Sequence, residues 1–202
     1  GVAVDTLGNI VVAGTTRSQD FPTTAGAIRR TISDPITLAQ DIFIAKLDPT
    51  GSTLIYGTYI GGRGDDEPTT LRLTRRGDVV VGGFTTSDNF ATAGVMQTVR
   101  GGGTDGIILS LAPRGNALNF ITYLGGKLDD RIEDIRMDGT GNIYFTGWTA
   151  STDFPVTFGS LTPIHQGRED VIAGKMNASG TLLMYSSFVG GSGDERASGI
   201  VA

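Results

Sequence analysis

The chain has 202 residues, of which 39% are hydrophobic and 18% are charged, and its formal net charge at pH 7 is −5. This acidic balance, without a long block of basic residues, excludes the cationic surface that nucleic acid phosphates require. The absence of cysteine excludes disulfides and thiolate metal sites, and no run of 18 apolar residues marks a membrane span. We therefore predict a globular protein that does not bind nucleic acid and has no membrane-spanning segment.

The elements of the first 60 residues are short strands separated by turn residues. The 31 glycines and the lack of long helix-favouring stretches are typical of an all-β protein. Alternation of apolar residues predicts four strands, and glycine followed by Asn or Asp predicts the first hairpin turn. The predicted strands cover residues 2–5, 10–16, 41–48 and 53–60.

One segment of the chain is repeated three times. The copies are 53–62 (TLIYGTYIGG), 117–126 (ALNFITYLGG) and 181–191 (TLLMYSSFVGG), and their Gly-Gly pairs are 64 and 65 residues apart. A fixed period indicates an array of similar supersecondary units. Both faces of the repeated strand carry aromatic residues, which favours sheets stacked face to face. The predicted blades are 1–62, 63–126 and 127–191, with 192–202 as the start of a further blade or an overlapping closing strand.

Several short motifs accompany this repeat. They are the Asp-x-x-Gly-Asn turn, Gly-x-Thr, Ser-x-Asp-Phe-Pro, the strand at 41–48 and the Tyr-Leu-Gly-Gly ending at 123–126. Together they resemble the bacterial β-propeller repeat called SBBP, over essentially the whole chain. The middle unit departs most, with Thr74, Phe84 and Ala91 at motif positions. The resemblance implies an exported or surface protein, and no catalytic residues define the family.

The number of blades is small for a propeller. Propellers usually close with four to eight blades, whereas three periods are present here. We therefore predict an incomplete or open β-propeller-type array of about three four-stranded blades. Either further repeats of the same protein or neighbouring copies complete it.

Acidic residues follow each Gly-Gly pair and are the only candidate metal ligands. Carboxylate oxygens on a loop suit calcium, but the spacing lacks an EF-hand pattern. Asp in glycine-rich turns commonly accepts backbone N–H bonds instead, and we favour this second interpretation. No cofactor is predicted, and calcium remains the one candidate. The candidate ligands are Asp65, Asp66, Asp129, Asp130, Asp194 and Glu195.

No group of residues predicts a catalytic site. Asp41, Asp105 and Asp170 recur in every unit, which favours a structural role because an active site generally uses one copy of each group. His165 is the single histidine, so a Ser-His-Asp or two-histidine arrangement is excluded within the chain. Trp148 lies in a strand, where blade packing is favoured over a sugar-stacking platform.

These observations predict a protein that is not an enzyme. The expected function is that of an exported bacterial scaffold, extracellular or at the cell surface, for adhesion, protein binding or glycan binding, or for surface assembly. One alternative is a subunit of an extracellular filament joined by strand pairing. Another is the non-catalytic part of a larger secreted hydrolase.

Overall fold

The computed structural model describes residues 1–88 and 90–202. It contains twelve strands, and the four strands of each of three sheets follow one another in the chain. The first sheet, blade 1, contains β1 (Val2–Val4), β2 (Ile10–Thr16), β3 (Asp41–Leu47) and β4 (Leu54–Ile60). Blade 2 contains β5 (Asp66–Leu73), β6 (Val79–Thr85), β7 (Asp105–Leu111) and β8 (Leu118–Leu124). Blade 3 contains β9 (Asp130–Met137), β10 (Ile143–Thr149), β11 (Asp170–Met176) and β12 (Leu183–Val189).

Every sheet is an antiparallel meander in which sequential strands are hydrogen-bonded neighbours. The predicted all-β class and the three four-stranded blades are confirmed, and the described residues form neither a helix nor a closed barrel. The described residues of the segments after β2, β6 and β10 form irregular loops. Across the described residues, no helix has the length and hydropathy needed to cross a bilayer.

The hairpins between first and second strands form because a turn side chain satisfies the backbone. Asp5 accepts hydrogen bonds from the backbone N–H groups of Leu7 and Asn9, both at 2.9 Å. Gly8 adopts a φ of 82° at this turn, a conformation that costs other residues energy. Asp138 makes the equivalent bonds in blade 3, so the same turn is built twice from the same chemistry.

The first hydrophobic core lies between blades 1 and 2. Ile42, Ile44 and Tyr56 of blade 1 belong to one buried cluster with residues from the facing side of blade 2. The second core, between blades 2 and 3, is formed in the same way. It contains Ile108, Phe120, Phe145, Met176 and Phe188. Strands β6 and β7 are therefore buried along their whole length, as the aromatic residues on both faces predicted.

The outward faces of blades 1 and 3 have apolar side chains without a neighbouring sheet. Val2 is 66% exposed, whereas Leu71, at the same place in blade 2, is 1% exposed. On the other side Tyr185 is 46% exposed, whereas its equivalent Phe120 is 2% exposed. The outer faces thus carry the same kinds of residue that the array buries internally.

Candidate functional site

The Gly-Gly turn between blades 1 and 2 is held by a buried aspartate at the start of β5. Asp66 Oδ2 accepts hydrogen bonds from the Gly62 N–H at 2.8 Å and from Ser87 Oγ at 3.0 Å. Its other oxygen accepts the Thr85 hydroxyl, and the Ser87 N–H donates to Thr85 Oγ1 at 2.8 Å. We call this set of an acidic residue, a glycine N–H, a threonine and a serine the carboxylate clasp. The clasp joins the Gly-Gly turn to the first strand of the next blade and to the end of that blade's second strand.

The clasp recurs between blades 2 and 3. Asp130 Oδ2 accepts hydrogen bonds from the Gly126 N–H at 2.7 Å and from Ser151 Oγ at 2.9 Å. Asp130 Oδ1 accepts the Thr149 hydroxyl. Because the acidic residue, the glycine, the threonine and the serine are all reproduced, the clasp is part of the repeat rather than a feature of one site.

A backbone hydrogen bond accompanies each clasp. The N–H of Asp66 donates to the carbonyl of Gln40 in the preceding blade at 2.8 Å, and the N–H of Asp130 donates to that of Thr104 at 2.7 Å. Glu195 follows blade 3 and donates in the same way to Glu169 at 2.8 Å. Each of these acidic residues is therefore fixed to the residue just before the third strand of the preceding blade.

A second buried carboxylate lies across each Gly-Gly turn. A Cβ built on Gly61 would lie 2.5 Å from Asp41 Oδ1 and 2.8 Å from Asp66 Oδ2, so only glycine fits between the two. Asp41 also accepts the backbone N–H of Ser33 at 2.8 Å and the Ser33 hydroxyl at 2.7 Å. Asp105 and Asp170 occupy the same position beside the glycines of the later turns. All three aspartates accept hydrogen bonds from the loop that precedes their strand, so their role is structural.

Burial determines the protonation of the clasp carboxylates. Desolvation raises the pKa of Asp66 to about 7, although its hydrogen bonds favour the charged form. Desolvation likewise raises the pKa of Asp130 to about 6. Both groups therefore carry a proton in the folded protein at mildly acidic pH, where an exposed aspartate has lost it.

The six candidate calcium ligands do not converge. Asp66 and Asp130 point inward to their clasps, whereas Asp65 accepts the Gln40 N–H at 2.9 Å and Asp129 accepts the Thr104 N–H at 2.8 Å. Asp194 is paired with Arg168, and Glu195 accepts the Gly191 N–H at 2.9 Å. Within residues 1–88 and 90–202, no three His, Cys, Asp or Glu side chains are grouped to hold a metal ion. The favoured interpretation of these residues as acceptors of backbone N–H bonds thus fits their contacts at Asp65, Asp66, Asp129, Asp130 and Glu195.

The single tryptophan and the single histidine, Trp148 and His165, both pack against other residues of the chain. Trp148 is 7% exposed and lies beneath Arg196, whose guanidinium carbon is 4.4 Å from the ring centroid. This covering leaves no open ring face of the kind that sugar stacking requires. His165 places Nε2 at 3.2 Å from the carbonyl oxygen of Thr149 and packs edge-on against Phe188.

A groove of about 830 Å³ lies where the turns of blades 2 and 3 meet. It is lined by four arginines but only two aspartates, and Phe120 lies along it. Asn119 donates to Asp78 Oδ1 at 3.1 Å and to Ser110 Oγ at 3.0 Å, which fixes its amide. The sequence does not indicate this groove, because Arg75 and Arg76 lie in the β5–β6 turn and meet residues of blade 3 only in the folded chain. The lining arginines are Arg72, Arg75, Arg76 and Arg136.

Stacked four-stranded meanders with a repeated inter-blade clasp place this chain among propeller-type repeat proteins. Residues 119–155, from β8 to the loop after β10, match the SBBP family, a beta-propeller repeat. This match confirms, over these residues, the resemblance deduced from the motifs. No curated protein matches the chain.

The raised pKa values of the clasp predict an unusual dependence of stability on pH. Between about pH 4 and pH 7 the folded state binds more protons than the unfolded state, so stability falls as pH rises. Below about pH 4 the lowered pKa values of Asp48 and Asp153 act in the opposite direction. We expect the melting temperature to be highest near about pH 4 to 5.

Thermal unfolding monitored by circular dichroism across pH 3 to 8 tests this expectation. Asp66→Asn, which mimics the protonated carboxyl, should flatten the decline between about pH 4 and 7. Asp20→Asn, at an exposed loop position, is the matched control and should leave the profile unchanged. A melting temperature that rises from pH 4 to 7 in the unmodified chain would contradict the expected protonation of the clasp.

Proposed function

We propose that this protein is a non-catalytic, exported bacterial repeat scaffold that binds an anionic glycan in the groove between blades 2 and 3. The observation that carries the scaffold part is the recurrence of one clasp at successive blades. The resemblance to SBBP repeats, whose members are mostly exported or surface proteins, supports the extracellular location. Protein binding and surface assembly are the other roles that such a scaffold fulfils.

The buried carboxylates support a non-catalytic role. Asp66 and Asp130 are fully buried, and each is surrounded by N–H and hydroxyl donors from its own repeat. A general acid or base must reach a substrate proton, and an enzyme site generally combines different groups once. Neither condition fits carboxylates that are buried in the same way at both inter-blade junctions.

The charge of the groove supports an anionic ligand. Arg72 and Arg136 both contact Asp134 Oδ1 at 2.7 Å, so their charge is partly balanced. Arg75 and Arg76 are exposed on the β5–β6 turn at the rim of the groove. Arginine guanidinium groups form paired hydrogen bonds with carboxylates, as found on uronic acids. A positive groove on a chain of net charge −5 favours such a ligand over a neutral one.

Titration calorimetry against a polyuronate and against neutral dextran tests this function. We expect binding of the polyuronate alone, weakened about tenfold or more by Arg75→Glu/Arg76→Glu. Arg29→Glu/Arg30→Glu, an exposed arginine pair in the loop between β2 and β3, is the charge-matched control and should bind normally. Chromatography of the recovered polymer should show unchanged chain length. Equal losses in both variants would contradict the groove assignment, and shortened polymer would contradict the non-catalytic role.

A further inference from the structure

Blade 2 differs from its neighbours at the place where the groove lies. In blade 1 the Lys46 ammonium contacts Asp5 of the first turn at 2.8 Å. In blade 3 the Lys175 ammonium contacts Asp138 of the corresponding turn at 3.0 Å. Ser110 occupies the lysine position in blade 2, because each of these three residues lies opposite the aromatic residue of its blade's last strand. Blade 2 therefore has no lysine with which to hold this turn.

Asn119 replaces the missing lysine as the donor to the turn. Its Nδ2 donates to Asp78 Oδ1 at 3.1 Å and to Ser110 Oγ at 3.0 Å. The other oxygen of Asp78 accepts the Thr74 hydroxyl at 2.8 Å, so the four side chains form one hydrogen-bonded series. Asn119 is the extra residue of a β-bulge, where the register between β7 and β8 shifts, and it lines the groove.

The equivalent bulge residues of the other blades are apolar. They are Ile55 in blade 1 and Met184 in blade 3, which are 45% and 48% exposed. The bulge itself therefore does not require an asparagine. Among the three bulges, that of blade 2 is the one with a polar side chain, and it is the one that lies in the groove.

The hydrogen bonds of Asn119 determine which end of its amide faces a ligand. A carboxylate accepts hydrogen bonds and donates none, so the atom that faces Asp78 is the amide nitrogen. Both hydrogens of that nitrogen are used, one by Asp78 and one by Ser110. Within residues 1–88 and 90–202 no donor reaches the amide oxygen Oδ1, which is left as an acceptor for water or a ligand at an exposed position of the groove.

This acceptor belongs to the same part of the groove as the exposed arginines. Asp78, which holds Asn119, follows Arg76 by two residues in the β5–β6 turn, and all three side chains line the groove. A guanidinium pairs with a carboxylate through two hydrogen bonds, whereas an amide oxygen accepts from a hydroxyl and cannot bond to a carboxylate. The groove therefore presents donors for an acid and an acceptor for a hydroxyl.

We propose that the groove recognises a hydroxyl together with a carboxylate on one sugar unit, with Asn119 Oδ1 as the acceptor of the hydroxyl. Arg75 and Arg76 bind the carboxylate of the same unit. This inference rests on the proposed function and deepens it, because it restricts the ligand to hydroxylated acids, such as uronic acids, among the polymers that carry carboxylates. A site with an acceptor for a hydroxyl discriminates against analogues without one, since the acceptor then loses its partner.

Titration calorimetry of the 202-residue chain against two polyanions of matched length tests this assignment. The polyuronate has hydroxyls beside its carboxylates, whereas poly-L-glutamate has carboxylates without hydroxyls. We expect the polyuronate to bind about fivefold or more tightly per carboxylate, because one additional hydrogen bond contributes about that factor. Equal affinities for the two polymers would overturn the inference and leave anion binding in the groove standing.

Asn119→Met introduces the residue type of the blade 3 bulge and removes the acceptor. We expect the polyuronate affinity to fall about fivefold or more while the poly-L-glutamate affinity stays within about twofold, so that the preference disappears. Because the other two bulges contain Ile55 and Met184, the variant should keep the β-sheet circular dichroism spectrum. Asn116→Met, at an exposed asparagine outside the groove lining, is the matched control and should keep the preference.

The remaining outcomes separate this inference from the proposed function. A preference for the polyuronate that survives Asn119→Met, or that is lost equally in Asn116→Met, overturns the inference alone. An unmodified chain that binds neither polymer overturns the proposed function, and this inference with it.

Discussion

Asp66→Ala is expected to lower the free energy of unfolding by about 3 to 5 kcal/mol. The substitution removes the acceptor of the Gly62 N–H and of the Thr85 and Ser87 hydroxyls, all inside a fully buried site. Each donor left without a partner costs about 1 to 3 kcal/mol. Urea denaturation followed by fluorescence of the single tryptophan measures the change.

The neighbouring residue supplies a matched control for this substitution. Asp65 is exposed, and its side chain accepts the Gln40 N–H at the protein surface, where water replaces a lost partner. Asp65→Ala should therefore cost less than about 1 kcal/mol. Similar losses at both positions would show that charge near the turn, rather than the clasp, stabilises the junction.

Gly115→Ala is expected to destabilise the protein by about 3 kcal/mol or more. Gly115 has a φ of 70°, which costs alanine about 1 kcal/mol. The added Cβ would also lie 2.4 Å from the ring of Tyr56 in the neighbouring blade, which must shift inside a close-packed core. Urea denaturation measures the change in unfolding free energy. An unchanged m-value, the slope of that free energy against urea concentration, shows that the unfolded state is unaffected.

Gly51 is the corresponding glycine of blade 1 and isolates the packing contribution. Its φ is 71°, but a Cβ there meets nothing within 4 Å in the single chain. Gly51→Ala should therefore cost only the conformational part, about 1 kcal/mol. Equal costs at Gly51 and Gly115 would mean that Tyr56 does not press on the turn.

The strands and their stacking could be predicted because local patterns determine them. The predicted strand at 41–48 and β3, at Asp41–Leu47, differ by one residue. The structural reason is that Asp48 binds the backbone of the following turn, with the Ser52 N–H at 2.9 Å. Aromatic residues on both faces of the repeated strand indicated burial on both sides, and the middle blade shows it.

The clasp and the groove could not be predicted, because their partners are distant in the sequence. Asp66 meets hydroxyls 19 and 21 residues away, and nothing local indicates which oxygen a buried carboxylate accepts from. The groove joins turns from two blades, so Arg76 and Asp138 lie far apart in the sequence. Repetition identified these residues as structural, but only the three-dimensional arrangement shows what each one binds.

The middle blade touches a neighbour on both faces, whereas the outer blades touch one each. In such a linear array, cohesion comes from nearest-neighbour contacts, so order is lost first at the periphery and last at the centre. Each added unit contributes one more contact, while the number of open outer faces stays at two. In an array that closes into a ring no outer blade remains, and the whole ring then unfolds cooperatively.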